Sequence, residues 1–442
     1  MAKKGKDNRD AGQSVPTSRA GRFARMARLA GGVAGGMLAE GGRQLRAGRR
    51  PAAKDLLLTP GNARRVADQL ATMRGAAMKV GQMLSMESGE FLPRELADIL
   101  ARLREDASYM PPEQLQQAME DAYGEDWETL FYNFDMKPIA AASIGQVHRT
   151  ISPDGREIVL KVQYPGVVKS IDSDVDNIAG LLRLSGQLPD SLDIKPLLED
   201  AKRQLHDEAD YLKEAKFLQA FGELLADDER FVVPEVLPDL TRPNVLAMTY
   251  VSGSPIETLT DVSGEERDRA MGNLIELMLM ELFELRMVQT DPNFANYLYR
   301  GKTGEIVLLD FGATRKFKVA FVNNYKRLAR AAIDADEAAL ADAAERLGYA
   351  TGEENSEYRA LLVEAFLLVL EPLRCEGPYN FGSSDMLARM TELGEEVTAF
   401  RDFWQAPPME IVYFHRKLAG MFMLASRLEA RVDVNGLISR WL

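Results

Sequence analysis

Two carboxylates and an amide in the second half of the chain have the spacing of a metal-dependent phosphoryl-transfer site. Asp291 is followed five residues later by Asn296, and Asp310 begins the tripeptide Asp-Phe-Gly. In phosphoryl-transfer enzymes such an Asn and such an Asp hold Mg²⁺ on a nucleoside triphosphate. Mg²⁺ takes hard oxygen ligands from one or two side chains, and phosphate and water supply the rest. We therefore predict that Asn296 and Asp310 bind the metal and that Asp291 orients or deprotonates the nucleophile.

A short hairpin is predicted to bring the two metal ligands together. Tyr297–Tyr299 and Glu305–Leu309 are strand-like and are joined by a Gly-Lys-Thr-Gly turn. Pairing of these strands places Asn296 beside Asp310. An isolated Asp-Phe-Gly is often a chance tripeptide at a strand end, but the upstream Asp/Asn pair and the hairpin favour a functional site.

Lys161 is the candidate phosphate-binding lysine. It lies in the strand-like run Ile158–Val162, across a hairpin turn at Asp154-Gly155, and its neighbours are apolar. That setting is unlike an ordinary surface lysine. A strand lysine of this kind pairs the α- and β-phosphates of a bound nucleotide and takes an acidic partner from a helix.

Three acids in one helical run are candidates for that partner: Glu208, Asp210 and Glu214. Asp210 and Glu214 are four residues apart and share a helix face, whereas Glu208 points elsewhere. We predict that Glu214 pairs with Lys161. Glu208 and Asp210 then remain for another group, for which Lys79 is the candidate.

The segment expected to cover the phosphates is rich in alanine. Gly145 and Val147 fit a glycine-rich phosphate loop, but alanines stand where its first two glycines would be. Methyl groups there should stiffen the loop and alter how the phosphates lie, because only glycine lets a bare backbone approach them. The candidate nucleotide-binding residues are Ala140, Ala141, Ala142, Ser143 and Lys161, with Met248, Tyr250 and Val251 as the hinge whose backbone would bind adenine.

Two features of ordinary protein kinases are missing. Gln289-Thr290 replaces the His-Arg before the catalytic Asp, and that Arg normally answers a phosphorylated activation loop. No Ala-Pro-Glu follows Gly312, and a helix is predicted from about Phe321. These differences favour a nucleotide-binding, ATP-hydrolysing site that lacks an ordinary groove for a protein substrate.

The elements that position these residues indicate an α+β fold. The strand signals begin near Pro138, and further strands are predicted near Val232–Leu237 and Val245–Tyr250, closing a small antiparallel sheet. Helices are predicted from about Val175 and over Ile194–Ala226, and the chain after Gly253 reads as mainly helical.

Charge divides the chain into a basic arm and an acidic body. The net charge is −13, yet the first 50 residues carry twelve Lys/Arg and three Asp/Glu, so the remainder carries about −22. An acidic body argues against nucleic acid as a partner, whereas the arm suits anionic lipid or an acidic protein. A flexible arm that packs on the body is the alternative.

The single cysteine excludes an internal disulfide and suits a reducing compartment.

Five segments are predicted from these patterns. They are a disordered basic tail at 1–17, a basic Gly-rich arm at 18–50, a helical extension at 51–133, an N-lobe at 134–252 and a C-lobe at 253–442. Lys79 and Gln82 lie in the extension, three residues apart on one helix face, with Gly81 allowing a close approach.

These motifs together resemble the UbiB/ADCK (AarF-type) family of atypical kinase-like proteins, coenzyme Q branch, from about Ser18 onward. The residues that carry the resemblance are Lys79-Val-Gly-Gln82, Ala140–Ser143, Glu208-Ala-Asp210 with Glu214, Gln289–Asn296 and Asp310-Phe-Gly312. The resemblance implies a bilobal protein-kinase-like fold whose site is capped by the family's own helical extension. It also implies binding of ATP or ADP and Mg²⁺, ATPase activity and support of ubiquinone biosynthesis at a membrane.

Three functions remain open at the level of sequence. The first is an ATPase or a kinase of small, lipid-linked molecules, with quinone precursors and a biosynthetic protein complex as partners. The others are a protein kinase and a non-catalytic nucleotide-sensing scaffold, and an aminoglycoside-type phosphotransferase ranks last. With no apolar run long enough to span a membrane and no evident presequence, we expect a bacterial cytoplasmic protein, peripheral on the inner membrane.

Overall fold

The computed structural model describes residues 109–184, 195–349, 356–397 and 408–442. The predictions for the tail, the arm, Lys79 and Gln82 lie outside the described residues. The chain forms two compact units. The first contains the described residues up to Lys216 together with Glu235–Tyr250, and the second contains Phe217–Pro234 and Val251–Leu442.

The strands of the described residues are short. In chain order they are β1 Ala140–Ala142, β2 Gly145–Ile151, β3 Glu157–Gln163, β4 Phe231–Val232, β5 Val245–Thr249, β6 Ser254–Pro255, β7 Met287–Gln289, β8 Tyr297–Arg300, β9 Glu305–Leu308, β10 Thr314–Lys316, β11 Tyr379–Asn380 and β12 Arg431–Val432.

The α-helices of the described residues fall mostly after the last strand of the first unit. They are α1 Pro112–Tyr123, α2 Val167–Leu184, α3 Lys195–Glu208, α4 Tyr211–Leu224, α5 Gly264–Met280, α6 Val319–Ile333, α7 Glu337–Leu347, α8 Ser356–Val369, α9 Glu371–Arg374, α10 Met386–Val397, α11 Met409–Arg427 and α12 Val434–Ile438. Short segments of other helix types occur at Trp127–Leu130, Ile256–Asp261, Glu281–Leu285, Phe294–Asn296 and Phe381–Ser383.

The first unit is built on an antiparallel sheet in the order β1-β2-β3-β5. Helix α1 begins at Pro112, where a missing N–H costs nothing, and its apolar face lies against this sheet. Leu115, Met119 and Trp127 share one buried cluster with Ile158 and Leu160 of β3. The sheet therefore presents β3, which carries Lys161, as an internal strand paired on both edges.

The second unit contains the predicted hairpin as part of a four-stranded sheet, β4-β9-β8-β6. β8 and β9 pair with Tyr297 opposite Leu308, and Gly304 adopts a positive φ of 80° in the connecting turn. Among the described residues, α5, α6 and α11 bury the longest apolar faces of this unit. The small sheet, followed by many helices, agrees with the predicted α+β class.

Three predicted elements have different bounds. The helix predicted from Val175 begins at Val167. The helix predicted over Ile194–Ala226 is two helices, α3 and α4, because Asp210 ends one and caps the next by accepting the N–H of Lys213 at 2.9 Å. Asp210 is thus a capping residue before α4, and the shared face that we predicted for it with Glu214 is absent.

The strand predicted near Val232–Leu237 is also different. Only Phe231–Val232 forms a strand, and it pairs in parallel with β9 in the second unit. Pro234 follows two residues later and has no N–H to continue a ladder. Val236 makes a single bridge to Met248 at the edge of the first sheet, so this stretch does not close that sheet as a regular strand.

Candidate nucleotide and magnesium site

Lys161 and Glu214 form a buried ion pair in the first unit. The Lys161 ammonium donates to both carboxylate oxygens, at 2.7 Å to Oε1 and 2.9 Å to Oε2. The side chains are 10% and 2% exposed, and the ammonium also lies 5.2 Å from the centre of the Tyr211 ring. Glu214 is the acid that we predicted for Lys161, although the helix face that it was expected to share with Asp210 is absent. A buried charge pair with two hydrogen bonds holds the ammonium in one place, as phosphate binding requires.

The alanine segment forms the tight hairpin between β1 and β2. Ala142 pairs with Gly145, and Ser143 with Ile144 makes the turn. The Ser143 hydroxyl donates to Glu208 Oε2 at 2.9 Å. Glu208 is the last residue of α3, and its side chain therefore contacts the turn that follows β1. The predicted partner Lys79 lies outside the described residues, so that pairing stays a prediction.

The predicted hinge begins in β5 and continues past its end. Met248 is buried and pairs with Val159 in the sheet. The N–H of Tyr250 donates to the Glu157 carbonyl at 2.9 Å, and its ring lies under the Arg149 guanidinium at 4.0 Å. The Tyr250 N–H is therefore already bonded within the sheet. Among the predicted hinge residues, the Tyr250 carbonyl and the backbone of Val251 remain the candidates for contact with adenine.

Asp291 and Asn296 lie together in the second unit. Asn296 Nδ2 donates to Asp291 Oδ2 at 3.3 Å, and Asn296 is 7% exposed. The other oxygen of Asp291, Oδ1, is buried and has no hydrogen-bond partner in the structure. A buried carboxylate oxygen without a partner is costly, so it indicates a group that is completed by a ligand.

Asp310 is held close to Asn296 by the hairpin. The N–H of Leu309 donates to the Asn296 carbonyl at 3.0 Å, one step beyond the last paired residues of β8 and β9. The Gly312 N–H donates to Asp310 Oδ1 at 2.9 Å. Phe311 is buried and its ring centre lies 4.6 Å from that of Phe221. The three predicted metal and catalytic residues of this unit are therefore brought to one end of the hairpin.

Thr290 bonds the segment after Asp-Phe-Gly to the loop that contains Asp291. Its hydroxyl donates to the Ala313 carbonyl at 2.7 Å, and its backbone N–H reaches the same oxygen at 3.3 Å. The contact continues into antiparallel pairing of β7 with β10, with Gln289 opposite Thr314. A hydroxyl thus makes a direct link where ordinary kinases use an Arg and a phosphate.

Sequence reasoning missed a second buried lysine, Lys417 of α11. Its ammonium donates to the Tyr297 hydroxyl at 2.7 Å and to Gln289 Oε1 at 3.4 Å, and lies 3.7 Å from Glu281 Oε2. The signal was present in the sequence as a lysine within the helical run 409–427. Its burial depends on packing between segments more than a hundred residues apart, which helical periodicity does not encode.

The donors fit magnesium better than a transition metal. Asp291, Asn296 and Asp310 offer only carboxylate and amide oxygens, which are the ligands preferred by hard cations. Within the described ranges, no group of three or more His, Cys, Asp or Glu side chains is placed to hold a metal. Asn296 and Asp310 would hold the ion, with nucleotide phosphates and water completing its shell. Their assignment as ligands remains a prediction.

A protein-family model described as the ABC1 atypical kinase-like domain matches residues 102–344. This chain belongs to that family. The resemblance drawn from the motifs is thereby confirmed, and the fold is that of an atypical kinase.

The chain is similar along most of its length to atypical kinases with curated names. It is 39% identical over 433 residues to atypical kinase coq-8, mitochondrial, of Caenorhabditis elegans, which covers 96% of this chain and 57% of that protein. It is 38% identical to atypical kinase COQ8, mitochondrial, of Saccharomyces cerevisiae, over 95% of this chain and 84% of the yeast protein. The chain thus spans little more than half the length of the nematode relative.

A solved structure supports the fold. The complex of Rv3197 with erythromycin from Mycobacterium tuberculosis matches with a TM-score of 0.60 and 24% identity, over 86% of this chain and 96% of that one. At this identity the likeness concerns the fold alone.

The predicted location was wrong. We expected a bacterial protein on the inner membrane, but the relatives from nematode, yeast and rat are named as mitochondrial proteins of eukaryotes. The error arose because the lack of an evident presequence was taken to indicate a bacterial source. Among the described residues, no helix has both the length and the apolar character needed to cross a membrane.

Proposed function

We propose that this protein is an ATP-dependent atypical kinase or ATPase that binds Mg-nucleotide and supports coenzyme Q biosynthesis. The observation that carries the proposal is the Asp291 carboxylate, whose Oδ1 atom is buried. One of its oxygens is bonded to Asn296 and the other has no partner. Such an arrangement leaves a polar atom for the nucleophile or for metal-bound water.

The remaining groups have complementary roles. When bound, Mg²⁺ neutralises phosphate charge and orients the nucleotide for transfer. Asn296 and Asp310 hold the ion, and Asp291 orients the nucleophile or accepts its proton. Lys161, held in place by Glu214, binds the α- and β-phosphates, and the β1–β2 hairpin covers them.

The acceptor is proposed to be a small or lipid-linked molecule, or water, in preference to a protein. Only Phe317 and Lys318 separate β10 from α6, which leaves little room for a platform that would bind a substrate peptide. The names of the COQ8 relatives support a role in coenzyme Q biosynthesis. The proposed partners are accordingly a quinone-precursor lipid, an anionic membrane surface and a biosynthetic protein complex.

The test of the metal set is thermal stabilisation by Mg-ATP. Asp310→Asn should remove the Mg-dependent rise in Tm, because an amide is a weaker ligand for a hard cation. Asp291→Asn should keep that rise and lose ATP turnover by about 100-fold or more. Asp261→Asn, at an exposed Asp of the same unit, is the matched control and should change neither readout.

Three results would contradict the proposal. Unchanged Mg-ATP stabilisation in Asp310→Asn would show that the metal assignment is wrong. No ATP turnover by the wild-type protein, with or without anionic liposomes and phenolic quinone-head mimics, would favour the scaffold. Efficient phosphate transfer to a protein in trans would favour the protein kinase.

A further inference from the structure

Lys417 of α11 is 2% exposed and packs against Gln289–Tyr297, which we call the catalytic segment because it contains Asp291 and Asn296. Its three close partners come from three separate places: Glu281 from the π-helical turn after α5, Gln289 from β7 and Tyr297 from β8. Gln289 and Tyr297 flank the stretch that contains Asp291 and Asn296. One side chain thus ties both ends of the catalytic segment.

The charge of Lys417 is retained in this buried place. Burial acts to lower the pKa of the ammonium, but Glu281, Tyr297 and Asp291 act against it, and the pKa lies above its ordinary value. A buried cation costs several kcal/mol unless it is paired and hydrogen-bonded. Glu281 supplies the counter-charge, although burial raises the pKa of its carboxyl to about 7, and this carboxylate also accepts the backbone N–H of Gln289.

Helix α11 also approaches the catalytic segment at the backbone. Gly420 lies three residues after Lys417, on the same helix face. A Cβ built at Gly420 would overlap the Cβ of Pro292, the residue after Asp291, and would lie 3.1 Å from its Cα. Two independent contacts therefore place one face of α11 against the residues on either side of Asp291.

We propose that Lys417 is a positioning residue, which holds the Gln289–Tyr297 segment so that Asp291 stays aimed at the nucleophile. The proposal deepens the function proposed above and rests on it. The alternative is a buried pair that contributes to folding alone. A pair of that kind can often be replaced by neutral groups with little loss. The two roles are therefore separable by experiment.

The experiment compares the full-length wild type with Lys417→Met, the double variant Glu281→Gln/Lys417→Met and Asp291→Asn. Lys417→Met leaves Glu281 buried and unpaired and should lower Tm. The double variant removes both charges, keeps an acceptor for the Gln289 N–H and should recover most of that Tm. We expect kcat for ATP hydrolysis to stay about 100-fold low in the double variant, with KM for ATP within about threefold of wild type.

Hydrogen exchange gives a readout that needs no turnover. Amides of residues 287–297 should exchange at least about tenfold faster in the double variant, while those of α6 stay unchanged. A double variant with wild-type kcat and wild-type exchange would overturn the positioning role while leaving the ATPase intact. If the wild type itself fails to hydrolyse ATP, the proposed function is overturned, and exchange over 287–297 still decides what Lys417 does.

Discussion

Ala142 ends β1 directly before the turn that is proposed to cover the phosphates, and Ser143 in that turn bonds to Glu208. A side chain of α3 therefore holds the tip of the hairpin, and the Ala142 methyl group lies directly before that tip. A glycine at the same position would give a backbone with more freedom and a closer approach to a ligand.

Ala142→Gly should change the relative affinities for ATP and ADP, by about threefold to tenfold, because the γ-phosphate is the group nearest a closing phosphate loop. The two dissociation constants can be measured by calorimetry in the presence of Mg²⁺. Ala140→Gly, two residues earlier in the same strand, controls for loss of strand stiffness. If the dissociation constant of ATP and that of ADP are each the same in Ala142→Gly as in the wild type, the methyl group has no role.

His415 shows how a single residue makes helix α11 sensitive to acid. Its Nε2 lies 2.5 Å from the Tyr349 hydroxyl and 2.8 Å from the Tyr325 hydroxyl. Burial lowers the pKa of His415 from its ordinary 6.5 to about 4. The folded protein thus favours the neutral imidazole, whereas the unfolded chain takes up a proton near pH 6.5.

The stability that depends on neutral His415 is present above pH 6.5 and is lost as the pH falls toward 4. Between pH 7 and pH 5 we expect a loss of about 2 kcal/mol in the free energy of unfolding from this residue. His415→Gln should flatten that slope in denaturant titrations at the two pH values.

At the scale of elements, the strands and helices that carry chemistry could be predicted and the contacts between distant segments could not. The β8–β9 hairpin followed from alternating apolar residues on either side of a Gly-Lys-Thr-Gly turn, which is a local signal. The choice of Glu214 for Lys161 is an exception among distant contacts, and it was made on a helix face shared with Asp210 that the structure does not have. The family's fold followed from the motifs as a set.

The elements that were missed depend on particular residues outside any periodic pattern. Asp210 breaks the long helix by capping α4, an alternative that helix periodicity alone does not reveal. Phe231–Val232 pairs with β9, which lies more than seventy residues later in the chain, so no local pattern reveals the pairing. Pro234 stops the short strand from extending. Lys417 was hidden for the same reason, since its partners lie 120 and more residues earlier in the chain.

On the scale of the whole molecule, neither unit is continuous in sequence. The second unit takes in Phe217–Pro234, which supplies β4 beside β9 and Phe221 beside Phe311. A fragment that begins at the predicted C-lobe boundary, residue 253, lacks both contacts. The edge of β9 is then unpaired and a buried aromatic face is exposed.

We expect the fragment 253–442 to aggregate or to lack cooperative thermal unfolding, and the fragment 217–442 to unfold cooperatively. Near-ultraviolet circular dichroism and differential scanning calorimetry of the two fragments make the comparison. Equal cooperativity and equal Tm would show that β4 and Phe221 add little to the second unit.

The hydrogen bond from Thr290 to Ala313 bears on when the protein becomes able to turn over substrate. This bond needs no added phosphoryl group, so the segment after Gly312 takes its position as soon as the chain has folded. Protein made in a host without matching upstream enzymes should therefore need no priming step before assay. If the proposed function is correct, we expect its activity to respond to nucleotide, metal and acceptor without phosphorylation of this segment.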